Sequence, residues 1–112
     1  MTLNELKQAN DLKRERRGIL LRIDRYERCG DKGTAAKLRQ KSEELLRRAM
    51  KEELRILEFI EGIEDSLTRQ VFSYRFLDGY GWPGVAAHVG GGNTSDSVRK
   101  IVERYIRNHN KR

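Results

Sequence analysis

From Leu3 to about Tyr26 the chain has no proline and one glycine, Gly18, while Leu12, Ile19, Ile23 and Tyr26 follow at steps of seven, four and three residues. That spacing returns side chains to one face of a helix and predicts an amphipathic helix from Leu3 to about Tyr26. Leu38, Leu45, Leu46, Ala49, Met50, Ile56, Leu57 and Ile60 repeat the pattern and predict a second long helix from Ala35 to about Ile60. Between them lies Cys29-Gly30-Asp31-Lys32-Gly33-Thr34, with two glycines to end the first helix and Thr34 as the expected N-cap of the second. So short a turn implies an antiparallel, coiled-coil-like hairpin, with arms about 40 Å long at about 1.5 Å per residue. Two helices alone cannot cover stripes this wide, so a second copy of the chain is expected to pack there.

Gly62 interrupts the pattern. Ile63-Glu64-Asp65-Ser66 then offers Asp or Ser as N-cap for a helix carrying Leu67, Val71, Phe72, Tyr74 and Leu77. Asp78-Gly79-Tyr80-Gly81 ends that helix, Trp82 to Val89 forms a short one, and Gly90-Gly91-Gly92-Asn93 breaks it. A last helix is expected from about Thr94 to Asn108. Six of the eight Phe, Trp and Tyr residues lie beyond Gly62, and large aromatics let a small domain build a core from few residues. The expected organisation is all-α: a self-associating helical hairpin at 1–62 and a small helical domain at 63–112.

Charge narrows the partner class. The chain carries 24 Lys and Arg against 17 Asp and Glu, a net +7, which favours a polyanion such as nucleic acid. The excess divides as 16 against 12 before Ile63 and 8 against 5 from there on. A single cysteine, Cys29, forms no internal disulfide, and the opening residues lack the apolar stretch of a signal peptide. No apolar run approaches a membrane span. A cytoplasmic protein without membrane contact is expected.

The order short helix, glycine turn, longer helix with a basic face is that of a helix-turn-helix, whose second helix enters the major groove of double-stranded DNA. With Val98, Ile101, Val102 and Tyr105 turned inward, Asp96, Arg99, Lys100, Glu103, Arg104 and Arg107 turn outward. Thr94, Ser95, Asp96, Arg99 and Lys100 open the helix, where base edges are reached, and Arg104 and Arg107 suit phosphate contacts. These seven residues are the candidate DNA-binding set.

Arg69-Gln-Val-Phe-Ser-Tyr-Arg75-Phe-Leu-Asp-Gly79-Tyr-Gly-Trp82-Pro-Gly-Val85-Ala86-Ala-His-Val89-Gly90, followed by Ser97-Val98-Arg99 and Arg104, resembles region 4 of bacterial sigma factors. It is more closely similar to the prophage-encoded, sigma-like transcriptional regulators of the RinA and ArpU type. The resemblance covers about the last 50 residues and implies transcription regulation of phage or prophage type. Two departures stand out: Gly91-Gly92 reads as an insertion before the last helix, and Gly84 replaces a customary first-turn acid, weakening the short helix locally.

Other chemistry is absent from the pattern. Gly79-Tyr-Gly81-Trp-Pro-Gly84 matches a dinucleotide-binding string, but a helix rather than a strand precedes it, so its glycines are expected to serve turns. Cys29, His88 and His109 are too scattered for a zinc site or a triad. No enzyme activity, metal or cofactor is expected. The arginines at 14, 16, 17, 22, 25 and 28 are read as a solvated hairpin face, with a second DNA-binding stripe as the alternative. Two other functions remain open: an adaptor binding RNA polymerase or another regulator with weak DNA contact, and an oligomeric DNA-packaging subunit like the small terminases.

Overall fold

In the computed structural model, which describes residues 1–111, every regular element is helical. The order is α1 (Leu3–Arg28), α2 (Lys32–Glu61), α3 (Ser66–Phe72) continued by a π-helical turn (Ser73–Leu77), α4 (Trp82–Val89) and α5 (Ser95–His109). The long helices α1 and α2 pack against each other as a hairpin, as the two apolar stripes require. No described helix is long and apolar enough to cross a membrane.

Contacts divide the chain into two compact units, Gln8–Glu52 and a second that joins Met1–Lys7 to Glu53–Arg112. In the first, Leu12, Ile19 and Ile23 of α1 close on Ala35, Leu45 and Ala49 of α2, with Leu38 packed at the margin. Arg16 Nε donates to Ser42 Oγ at 3.1 Å across this seam, which satisfies a buried hydroxyl. Arg39 and Glu27 pair near the turn.

The turn itself departs from the expected chemistry. Gly30 takes a positive φ of 79°, its N–H reaches Glu27 O, and the N–H of Asp31 reaches Tyr26 O, the paired bonds that close a helix C-terminus on a left-handed glycine. Gly33 lies inside the first turn of α2, not in the loop. The cap is Asp31 rather than Thr34: its carboxylate accepts from the backbone N–H of Thr34 at 3.0 Å and from the Thr34 hydroxyl at 2.8 Å. A carboxylate three residues ahead has two oxygens for these two donors, and α2 therefore begins one turn earlier than its apolar stripe suggests.

The second unit is built around aromatic rings. Phe72, Phe76, Ile56, Ile63, Val71, Val85, Val98 and Val102 are almost wholly buried. Phe72 lies 5.9 Å from Phe59, 5.5 Å from Phe76 and 5.5 Å from Tyr105 between ring centroids, so one ring joins α2, the π turn and α5. The link between α2 and α3 is held by Arg69, whose guanidinium donates to Ile63 O at 2.7 Å and Glu64 O at 2.8 Å. Asp65 caps α3 as expected, accepting from the Thr68 hydroxyl at 2.6 Å and its backbone N–H at 3.0 Å. At the start of the chain Thr2 and Glu5 form a reciprocal cap on α1.

Both aspartate caps act as anions. The Thr68 hydroxyl and backbone N–H hold the Asp65 carboxyl below its ordinary 3.8, and the backbone N–H and hydroxyl of Thr34 do the same for Asp31. A carboxyl whose folded value is depressed stabilises the fold above the unfolded value and loses that contribution as pH falls through the folded one. Carrying Asp31→Asn and Asp65→Asn together should therefore flatten the fall of the urea midpoint between about pH 5 and pH 2. Parent and double variant tracing parallel curves would contradict these two caps.

Candidate nucleic-acid interface

Within the second unit, α3, α4 and α5 pack on one another. The helix α4 begins as the sequence indicates, with Gly81 extended and Pro83 in the first turn, where its missing N–H costs nothing. The expected weakness at Gly84 has a steric counterpart: a Cβ there would stand 3.2 Å from the Tyr80 ring. Glycine thus admits Tyr80 against α4, where its ring lies 4.3 Å from that of His88, and Tyr74 approaches His88 at 4.9 Å. His88 Nδ1 lies 2.8 Å from Gly84 O. Trp82 is half-buried with the Arg75 guanidinium 4.4 Å above its ring, and the same guanidinium donates to Tyr80 O at 3.0 Å. Gly79 and Gly81 thus serve the turn into α4, as expected, whereas Gly84 lies inside the helix.

The turn between α4 and α5 rests on three successive glycines with positive φ: Gly90 at 63°, Gly91 at 65° and Gly92 at 77°. Gly90 donates its N–H to Ala86 O and accepts from Asn93 Nδ2 at 2.8 Å. Asn93 Oδ1 in turn accepts the Ser97 hydroxyl at 3.2 Å. Thr94 caps α5: its hydroxyl accepts the N–H of Ser97 at 3.1 Å, while Ser97 Oγ accepts the N–H of Thr94 at 2.8 Å. Serine here fills the reciprocal role usually taken by Glu or Gln. Gly91 and Gly92, read as an insertion, thus form part of a turn whose hydrogen bonds run directly into the helix cap.

On α5, Val98 and Val102 are buried and Ile101 and Tyr105 half-buried, the inward set expected from spacing. Of the seven candidate residues, Thr94, Asp96, Lys100, Arg104 and Arg107 are exposed, whereas Ser95 and Arg99 are half-buried. Arg99 is engaged within its own helix, bridging Asp96 at 2.5 Å and Glu103 at 2.8 Å. Lys100 reaches Asp96 at 2.8 Å. The hydrogen bond to Asp96, then that to Glu103, pushes the Arg99 guanidinium above its ordinary value, and the Lys100 and Arg99 contacts hold the Asp96 carboxyl below its own. Among the described residues Arg104 and Arg107 form no ion pair. The first turns of α5 therefore present a self-neutralised network, and its later turns present free cations.

Phe59, Arg69, Asn93 and Ser97 lie outside the candidate set, yet they support it, Ser97 through its reciprocal bonds with Thr94. Phe59 lies 6.0 Å from Tyr105 and 5.3 Å from His109 between ring centroids and supports the end of α5. As the lone aromatic of α2 it was the available signal. Among the described residues no group of His, Cys, Asp and Glu could hold a metal ion. Compared with known proteins, the chain matches no family model, no curated protein and no solved structure.

Gly90, with φ 63° and ψ −148°, occupies a region open essentially to glycine alone. A Cβ there would meet nothing within 4 Å, so Gly90→Ala isolates the backbone cost. It should lower stability in urea by about 1 to 3 kcal/mol. An unchanged midpoint would mean that the turn is not held in this conformation.

Proposed function

We propose that this chain is a sequence-specific, non-enzymatic regulator of transcription, of phage or prophage type, that places α5 in the major groove of double-stranded DNA and needs no cofactor. The observation that carries this reading is the exposed face of α5. A capped helix, fixed from behind by Val98 and Val102, presents Lys100, Arg104 and Arg107 to solvent beyond a short helix and glycine turn. Arg99 reads bases only by exchanging Asp96 and Glu103 for a base edge; Arg104 and Arg107 are already free to neutralise phosphate. The resemblance of residues 69 to 104 to sigma region 4 supports the same assignment.

Self-association through the hairpin belongs to this reading. Within Gln8–Glu52, Leu46 and Met50 stand one turn apart on α2 and are 38% and 57% exposed, an apolar strip that a second copy would cover. Two copies would read a two-fold related site.

The test is fluorescence anisotropy on a duplex selected from random sequence, at several salt concentrations, with sedimentation to give the mass of the free chain. Loss of a base-reading contact at Arg99 or Lys100 should cost about 1 to 3 kcal/mol on the selected site and relax its sequence preference. Arg107→Ala should weaken all sequences alike and make the salt slope shallower. A triple Arg99, Lys100 and Arg107 to Ala variant that stays folded and binds as tightly as the parent would overturn the assignment of α5. A monomeric mass at tens of micromolar chain would remove the hairpin from self-association.

A further inference from the structure

The two compact units do not share the charge evenly. Gln8–Glu52 holds 14 Lys and Arg against 8 Asp and Glu, a net +6, which leaves +1 for the rest of the chain. The positive charge that favours a polyanion thus belongs mostly to the hairpin unit, to residues other than those of the proposed helix-turn-helix.

Along α1 that charge is sorted by face. Arg14, Arg17, Leu21, Arg25 and Arg28 follow at steps of three, four, four and three, and all are exposed. They occupy the side opposite the buried Leu12, Ile19 and Ile23. The acids that interrupt the linear sequence leave this face largely clear: Asp11, Glu15 and Glu27 turn elsewhere, and Asp24 sits at its margin, paired with Arg28 at 3.0 Å. Arg14 has only a 3.7 Å contact with Asp11, in which both side chains are more than half exposed. Among the described residues Arg17 and Arg25 have no ion-pair partner. Gly18 lies at the opposite margin of the face, half-buried, where a Cβ would stand 3.6 Å from the Arg22 guanidinium.

We propose that this arginine face of α1 is a second DNA-binding surface, which holds the phosphate backbone of double-stranded DNA without reading sequence. From Arg14 to Arg28 the helix rises about 21 Å at 1.5 Å per residue. That span matches about six base pairs of duplex at one phosphate per about 3.4 Å per strand. Guanidinium groups suit phosphate because their planar fork donates two hydrogen bonds to it. An anionic membrane would also attract the face, but Leu21 is the sole large apolar side chain on it, too little to insert among lipids. The inference rests on the DNA-binding reading above and adds to it a surface outside α5.

The full-length Arg17→Gln, Arg25→Gln double variant keeps the buried side of α1 unchanged, and circular dichroism with thermal melting establishes that it folds. Its affinity for the selected duplex is followed against salt, with phosphatidylserine-containing vesicles as a parallel probe. The expected result is a plot of log affinity against log salt that is shallower by about two, at about 0.9 per lost phosphate contact. The sequence preference measured against a scrambled duplex should stay unchanged. A folded variant with the parent's salt slope overturns the proposal, and an effect confined to the vesicles assigns the face to lipid instead. A parent that binds no duplex overturns this inference together with the DNA-binding reading. Loss of preference in the α5 variants beside an unchanged slope in the α1 variant overturns the inference alone.

Discussion

Phe72 is the contact on which the candidate interface depends. Its ring is wholly buried and lies within 6 Å of Phe59, Phe76 and Tyr105 between centroids, so a single side chain ties together α2, the π turn and α5. A fully buried phenylalanine contributes about 1.5 to 3 kcal/mol, and each aromatic pair adds about 0.5 to 1.5 kcal/mol beyond burial. Replacing the Thr94 cap would cost about 1 kcal/mol. Packing therefore outweighs capping in holding α5, and the cap sets where the helix starts rather than whether it stays. Without the aromatic cluster, α5 would keep its packing on α3 and α4 but lose the Tyr105 contacts that tie it to Phe59 and Phe72.

The same constraint explains what the sequence makes legible. Helical period alone locates the hairpin, and the buried pair Val98 and Val102 follows from spacing, because a short amphipathic helix has one arrangement that hides its valines. Proline and glycine mark the limits of α4. Local chemistry is harder to read. Asp31 and Thr34 are both good caps, and the choice between them turned on which could satisfy two donors at once. The π turn at Ser73–Leu77, where the N–H of Asp78 reaches Ser73 O, leaves no mark in a pattern of apolar residues. Phe59 stands out as the lone aromatic of α2, but its partners lie in helices that begin beyond Gly62, so the sequence marks the residue without showing what it packs against.

Charge shows the limit of linear reading most clearly. Counted along the chain, acids interrupt the arginines of residues 14 to 28, and the stretch reads as a mixed solvated surface. Wound on a helix, the acids fall mostly to the flanks and Arg14, Arg17, Arg25 and Arg28 gather on one face, while Arg16 turns into the seam toward Ser42. The reverse happens on α5, where Arg99 and Lys100, two of the first-turn candidates for reaching base edges, share Asp96 and, for Arg99, Glu103. A cation already paired within its helix must exchange partners before it binds anything else. The free cations Arg104 and Arg107 need no such exchange.

If α5 is the helix that meets DNA, as proposed, amide chemical shifts will report it residue by residue. The ¹⁵N-labelled chain, titrated with its selected duplex, should show its largest changes between Thr94 and Arg107, with the buried side at Val98 and Val102 moving less than Lys100 and Arg104. A duplex that binds while the amides of α5 stay in place would contradict the assignment of α5 to DNA.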